Sequence, residues 1–362
     1  MSHYDVIVIG GGQAGLAVGH YLGRQGRRFA ILEAADGPGA AWRCRWDSLR
    51  LFTPARYDSL PGKPFPGDPD HYPGRDEVVA YLTDYARDLP VHYDSRVVAL
   101  RRAGDGYDVE LNDRTLHAEQ VVVATGPFQI PRMPAQSQAL DPRIRQLHST
   151  EYRSPSTVGA GPVLVVGGGN TGYQIAAELA ATREVHLAIG SRQPPLPQRV
   201  GGRDLFDVLT KIGAMRKTAT SRIGRRLKDR DTLIGSSPRR ARRLGIQLRA
   251  RMEEARGTSV TFADGTTVEP ETVIWATGFD VDYSWIDVPA FGADGLPIHE
   301  RGVSAAPGLY FVGLPWQHTR GSALLGWVKD DARYVADAIA YSSASAASTS
   351  SSWVAGDTFG KT

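Results

Sequence analysis

Cysteine is nearly absent, since Cys44 is the only one in 362 residues. A lone thiol forms neither an internal disulfide nor a CxxC redox pair, which excludes disulfide-stapled scaffolds and intrachain dithiol chemistry. Long apolar runs are missing too. None approaches the roughly 20 residues that cross a bilayer, so integral membrane association is not expected. The first buried strand begins by Tyr4, so no secretory leader is expected and a cytoplasmic location is. Charge of one sign is also scarce overall, at a net +3. What remains is ordinary globular composition, 41% hydrophobic and 22% charged, over a length that favours two domains.

Residues 6–15 read V-I-V-I-G-G-G-Q-A-G, a buried strand followed by G-x-G-x-x-G and a helical pattern. Gly10 permits the tight turn, Gly12 lets a pyrophosphate approach the backbone, and Gly15 lets the helix press on the sheet. The phosphates would sit on the helix N-terminus at Gln13 and Ala14. A second strand over residues 28–32 ends in Glu33, whose carboxylate suits a ribose diol. The same motif also occurs as a plain glycine turn in α/β proteins. Here the flanking strands and helix favour a dinucleotide.

Residues 41–54, A-W-R-C-R-W-D-S-L-R-L-F-T-P, are unusually dense in Trp, Arg and Phe. Trp42, Trp46 and Phe52 suit the face of a planar ligand, and equally the core of a long connection. Beyond them, a helix capped at Asp76 is predicted through Tyr85. A three-strand meander is predicted at 97–100, 107–111 and 115–118, then a separate buried strand at 120–126 that exits in A-T-G. The motif then repeats. Residues 163–172 read V-L-V-V-G-G-G-N-T-G, matching 6–15 at an offset of 157, and residues 273–278 repeat the A-T-G exit of 121–126.

The second unit differs where coenzyme choice is decided. Its second strand, predicted over 185–189, ends in Gly190, Ser191 and Arg192 instead of an acid. A carboxylate there would repel a 2′-phosphate, whereas a hydroxyl and a guanidinium bind one. The first site is therefore expected to take FAD and the second NADPH; the alternative leaves Arg192 as a solvated surface residue. The expected cofactor contacts are Gly10, Gly12, Gln13, Ala14, Gly15, Glu33, Trp42, Arg43, Val97, Ala124, Thr125 and Gly126, with Gly313 and Leu314 late in the chain. Those of the second site are Gly167, Gly169, Asn170, Thr171, Gly172, Ser191, Arg192, Ala276, Thr277 and Gly278.

The fold class expected is α/β, with two Rossmann-like dinucleotide-binding domains and the NADPH domain inserted into a discontinuous FAD domain. The FAD domain would take 1–154 and 281–341, and the NADPH domain 155–280 with a basic helical insertion at about 199–256. A hairpin is expected over 258–269, a strand over 308–316 and a helix over 322–342, and 342–362 reads as a disordered tail rich in Ser, Ala and Thr. From 216 to 256 the chain carries 14 Lys and Arg against 4 Asp and Glu. No base-reading motif accompanies this charge, so nucleic acid is not an expected partner. A solvated insertion beside a polyanionic cofactor accounts for it.

Taken together, the two fingerprints, the two A-T-G strands and residues 147–153, L-H-S-T-E-Y-R, resemble the flavin-containing monooxygenases, which belong to the single-component class B monooxygenases. Of the family motif F-x-G-x-x-x-H-x-x-x-[WFY], His148 and Tyr152 match, while Pro142 and Ile144 replace Phe and Gly. Thr53 precedes Pro54 where eukaryotic-type members carry Asn, and L-F-T-P is similar to shorter bacterial members. The resemblance implies that NADPH reduces FAD, that O2 adds at the flavin C4a, and that one oxygen atom enters a small nitrogen or sulfur nucleophile or a ketone. It places Phe52 and Thr53 beside the ring and Arg320 on the flavin or nicotinamide side; no metal is expected. A flavin disulfide reductase shares this fold but needs a cysteine pair. An NADPH-dependent reductase or oxidase serving an external acceptor stays open, as do a non-enzymatic redox sensor and a homodimer.

Overall fold

The computed structural model describes residues 3–228 and 232–353. Two sheets organise the chain. In the first, the order runs Ile286–Asp287, Val97–Ala103, Gly106–Leu111, Thr115–Val123, His3–Ile9, Phe29–Leu32 and Val91–His92, with Leu309–Phe311 also joined to Thr115–Val123. The second is five-stranded, in the order Gln247–Arg249, Val185–Ala188, Val163–Val166, Thr272–Trp275 and Arg145–His148. All of its pairings are parallel.

The strand Thr115–Val123 explains how the first sheet changes character. Its early residues alternate between buried and accessible and pair antiparallel with Gly106–Leu111. Its last four are all buried and pair parallel with both His3–Ile9 and Leu309–Phe311. Alternation suits a sheet with one wet face, and a continuous apolar run suits one covered on both faces. The meander strand at 115–118 and the buried strand at 120–126 are thus one element, because Glu119 interrupts the apolar pattern without interrupting the ladder.

The helix Gln13–Arg24 buries Leu16, Ala17, Val18 and Leu22 in one cluster with Val6, Val8 and Ile31 of the sheet and Val328, Val335 and Ile339 of the C-terminal helix. That helix spans Val328–Trp353 instead of 322–342. Its start is delayed by tight turns: a side chain on Gly326 would meet the Tyr57 carbonyl oxygen at 1.7 Å. It also runs through the Ser-rich residues 342–353, where disorder was expected; residues 354–362 of that tail lie outside the described residues. The helix Arg75–Ala86 is capped by Glu77, which accepts from the Gly74 N–H at 2.8 Å, so Asp76 lies in the first turn and is not the cap.

The basic stretch is not a helical insertion. Its helices Leu205–Lys211, Arg222–Lys228 and Pro238–Arg243 are short, and the chain then supplies Gln247–Arg249 as the outer strand of the second sheet. Met252–Arg256 adds a third strand to the expected hairpin, whose other two are Ser259–Phe262 and Thr267–Val268. Among the described residues no helix is long and apolar enough to cross a membrane.

Candidate functional site

The two glycine turns are built alike, atom for atom. Gly10 N–H donates to the Leu32 carbonyl at 2.8 Å and Gly167 N–H to that of Ala188 at 3.0 Å, so each turn is hung from the neighbouring strand. Ala124 N–H donates to Ile9 and Ala276 N–H to Val166, both at 2.8 Å, which sets each A-T-G exit beside its turn. Gly10 and Gly167 have φ of +110° and +133°, a region where L side chains are strained. A Cβ on Gly10 would lie 2.5 Å from the Ala124 oxygen, and one on Gly167 2.1 Å from the Ala276 oxygen. On Gly15 or Gly172 it would stand 1.9 Å from the carbonyl oxygen of Gly10 or Gly167.

Gly12 and Gly169 are the opposite case. Nothing lies within 4 Å of a Cβ on Gly12, and on Gly169 only the Gln193 amide nitrogen, at 4.0 Å. These two glycines begin the helices Gln13–Arg24 and Asn170–Leu179, which have no side-chain cap and no acid in the first turn. The helices at Arg75, Leu205 and Pro238 are each capped by a carboxylate or hydroxyl. Free N–H groups and an unopposed helix dipole behind an open glycine fit the phosphates of a dinucleotide. A second sign points the same way: the Gln193 side-chain oxygen, over the second turn, is buried without a hydrogen-bond partner among the described residues. Buried polar atoms are nearly always paired, so this one fits a ligand group.

At the strand ends the units diverge. Glu33 accepts from Gly11 N–H at 2.7 Å and Ala35 N–H at 2.9 Å, which fixes both carboxylate oxygens beside the first turn. Ser191 and Arg192 are exposed at the matching place in the second unit, and Arg192 makes no ion pair among the described residues. Sequence reading missed Arg251 here. Its guanidinium donates to the Gly190 carbonyl at 2.9 and 3.2 Å, which brings a second cation to that strand exit. Asn170 is less free than expected, because its amide bonds Thr232 O and Ile234 N, both at 2.9 Å. Thr171 is half-buried in the first helical turn, and Thr277 donates to the Arg132 carbonyl.

The loop at Trp42 meets the start of the first helix. Trp42 donates to the Gln13 side chain at 3.2 Å, and Gln13 donates to Ala323 O at 3.0 Å, so Gln13 ties two loops to the helix start. Gly313 presses on Ala14: a Cβ there would be 2.8 Å from that of Ala14, and Leu314 N–H donates to Gln317 at 3.3 Å. Arg43 instead turns outward to Asp36 and Gly37. Val97 opens a meander strand two residues after Ser95, whose N–H donates to the Glu33 carbonyl. Thr125 and the Gly126 carbonyl share the Gln129 amide.

Phe52 stacks on Phe206, with centroids 5.8 Å apart and planes 9° from parallel. Thr53 is only 3% exposed and donates to Asp58 at 2.6 Å; Asp58 is 1% exposed. The other Asp58 oxygen is buried without a partner among the described residues. Burial therefore pushes this carboxyl up to about 8, against the smaller opposing effect of the Thr53 hydroxyl, so it is protonated at neutral pH. Arg320 is half-buried, in the turn after His318 and Thr319.

The two A-T-G exits meet. Phe128 and Phe279 touch edge to face at 5.2 Å, and the Arg45 guanidinium lies 4.8 Å from one ring centroid and 5.0 Å from the other. Burial holds the Arg45 pKa below its usual value. Nearby, His148 is buried, its ring nitrogens within 3.0 Å of the Thr150 hydroxyl and 3.2 Å of the Gly278 carbonyl oxygen. Tyr152 donates to Glu178 at 2.7 Å. His148 and Tyr152 thus brace the second sheet.

Known proteins resemble this chain over most of its length. The pyridine nucleotide-disulphide oxidoreductase family matches residues 7–197. An uncharacterized CzcO-like oxidoreductase of Geobacillus kaustophilus is 43% identical over 91% of this chain and 97% of its own. The CzcO oxidoreductase of Bacillus subtilis is 39% identical, over 92% and 98%. Among solved structures, the flavin-containing monooxygenase of Stenotrophomonas maltophilia superposes with a TM-score of 0.78 and 31% identity, over 94% of this chain and 99% of that one. The chain belongs to the pyridine nucleotide-disulphide oxidoreductase family and, within it, to the flavin monooxygenases.

Proposed function

We propose that the unit around Gly10 holds FAD, that the unit around Gly167 holds NADPH, and that the protein inserts one atom of O2 into a small substrate carrying a soft nitrogen, a sulfur or a ketone. The observation that carries this reading is one turn geometry used twice, with Glu33 at one strand end and Ser191, Arg192 and Arg251 at the other. The FAD unit comprises the chain to the first A-T-G exit at Gly126 and again from 281, and the NADPH unit lies between; the boundary falls earlier than the expected residue 154, because Arg145–His148 pairs in the second sheet and Leu140, Ile144 and Tyr152 pack in its cores.

Each group of the chain then has a task. The N–H groups at Gln13 and Asn170 receive pyrophosphates, and Glu33 grips the ribose diol of the FAD adenosine. Arg192 and Arg251 hold the 2′-phosphate, where charge-assisted contacts favour NADPH over NADH. Phe52, stacked on Phe206, excludes water from the reacting face. Thr53, fixed by neutral Asp58, presents its oxygen there in one orientation. FAD held there would supply the activation of O2 once reduced by NADPH, while the protein orients and shields. The family name invokes disulfides, yet a single Cys44 leaves no thiol pair for that chemistry within one chain.

Isotope labelling tests the reading. Turnover of a simple thioether under 18O2 with NADPH is expected to place one labelled atom in the sulfoxide, one NADPH being used per product. Unlabelled thioether, with all the consumed O2 recovered as hydrogen peroxide across thioether, amine and ketone substrates, would overturn it.

A further inference from the structure

A cavity of about 520 Å³ lies outside both glycine turns, walled by the 3-10 segment Ala55–Tyr57, the segment Ala214–Arg216, the loop through His318 and the first turns of the C-terminal helix. Its size is that of a small-molecule site. Five cationic side chains line it, Arg56, Arg216, Arg301, Lys329 and Arg333, against the carboxylates of Asp330 and Asp331.

Most of this charge is already committed. Arg56 is held by Asp207 at 2.7 Å and also meets Asp70; Arg301 is held by Asp331 at 3.0 Å. Arg333 stands 3.8 Å from Asp337. Two cations are not neutralised in this way. Among the described residues the Lys329 side chain donates only to the Ser59 carbonyl, at 3.3 Å, and the Arg216 side chain makes no hydrogen bond or ion pair. The same lining holds an aromatic pair, Tyr57 and Trp327, which stack at 5.2 Å with planes 15° apart. Cations without a carboxylate partner in one cavity with an aromatic pair suit an organic acid better than a bare inorganic ion, which has no use for the rings.

Packing connects the cavity to the reacting face. Trp327 packs on Phe206 at 5.8 Å, and Phe206 is the ring that stacks on Phe52. Phe52, Tyr57, Phe206, Met215 and Trp327 belong to one apolar cluster. We infer that this cavity receives the substrate and that the substrate is a carboxylate with an apolar, preferably aromatic, body: Arg216 and Lys329 take the carboxylate, and Tyr57 and Trp327 take the body. The inference rests on the monooxygenase reading for what happens next, but binding can be measured without turnover.

The test titrates oxidised, FAD-loaded protein with phenylacetate and 3-phenylpropanoate, each against its own amide and against inorganic phosphate, by calorimetry. At least one acid is expected to bind ten times more tightly than its amide and than phosphate. Arg216→Ala and Lys329→Ala are expected to remove most of that preference, with Arg216→Lys restoring part of it. Equal binding of acid and amide, phosphate binding as tightly as either acid, or an acid preference that survives Arg216→Ala would overturn the assignment. If a neutral thioether is oxygenated while neither acid shows preference, the site falls and the monooxygenase stands. If an acid binds with the expected preference but no substrate is oxygenated, the reverse holds.

Discussion

Arg192 and Arg251 converge on one strand exit from different parts of the chain. Each guanidinium–phosphate contact contributes about 1.5–3 kcal/mol, or roughly ten- to hundredfold in affinity. Arg192→Ala should lower kcat/KM for NADPH by that factor and leave NADH nearly unchanged; Arg251→Ala should act in the same direction. Steady-state kinetics with both coenzymes reads this directly, and equal losses would contradict the 2′-phosphate assignment. Only Arg192 was legible in the sequence, because the end of a second strand is a recognisable place. Arg251 reaches the site through the register of Gln247–Arg249 beside Val185–Ala188, which no local pattern reveals. Asp58 was missed for a similar reason, since nothing in D-S-L-P announces burial. Its carboxyl loses its proton near pH 4 in the unfolded chain but only at about 8 in the folded one. Between those values the folded state holds a proton that the unfolded state lacks. The contribution to stability is thus fully present below about pH 4 and is lost as pH rises through 8, at up to roughly 1.4 kcal/mol per unit. Asp58→Asn should flatten that slope in denaturant titrations of the apoprotein, and an unchanged slope would place the titration elsewhere.

Elements show the same division between local and distant causes. The runs V-I-V-I and V-L-V-V announced parallel strands covered on both faces, and their glycines announced the turns. Gly12 and Gly15 now separate binding from folding. A methyl on Gly15 has no room against the Gly10 carbonyl, so Gly15→Ala should yield little folded protein. At Gly12 the space is open. Gly12→Ala should therefore fold with an unchanged melting temperature as apoprotein, yet retain FAD at least tenfold less well, because the methyl occupies the phosphate's approach. Flavin content after gel filtration, beside thermal unfolding, distinguishes the two. What the sequence hid lies where tertiary pairing overrides local signals. Glu119 concealed the continuity of Thr115–Val123, and the positive charge of 216–256 concealed a strand of the second sheet.

For the whole molecule, the decisive feature is the meeting of the two A-T-G exits. Duplication was visible in the sequence as two fingerprints, but the join was not, since Arg45, Phe128 and Phe279 are far apart along the chain. Burial of the Arg45 guanidinium between two rings makes it a brace across the exits. Arg45→Ala should keep FAD bound while slowing anaerobic flavin reduction by NADPH severalfold; an unchanged reduction rate would show that the brace is not used. On the proposed function, this paired architecture retains NADP+ and shields the reduced flavin from water until substrate arrives. Its most direct test mixes NADPH-reduced protein, still holding NADP+, with O2, following oxygen and the flavin spectrum together. O2 is expected to disappear well before the oxidised flavin spectrum returns, and an oxidisable substrate to shorten the delay. Oxidised flavin returning in step with O2 loss, with one hydrogen peroxide released per flavin, would contradict it.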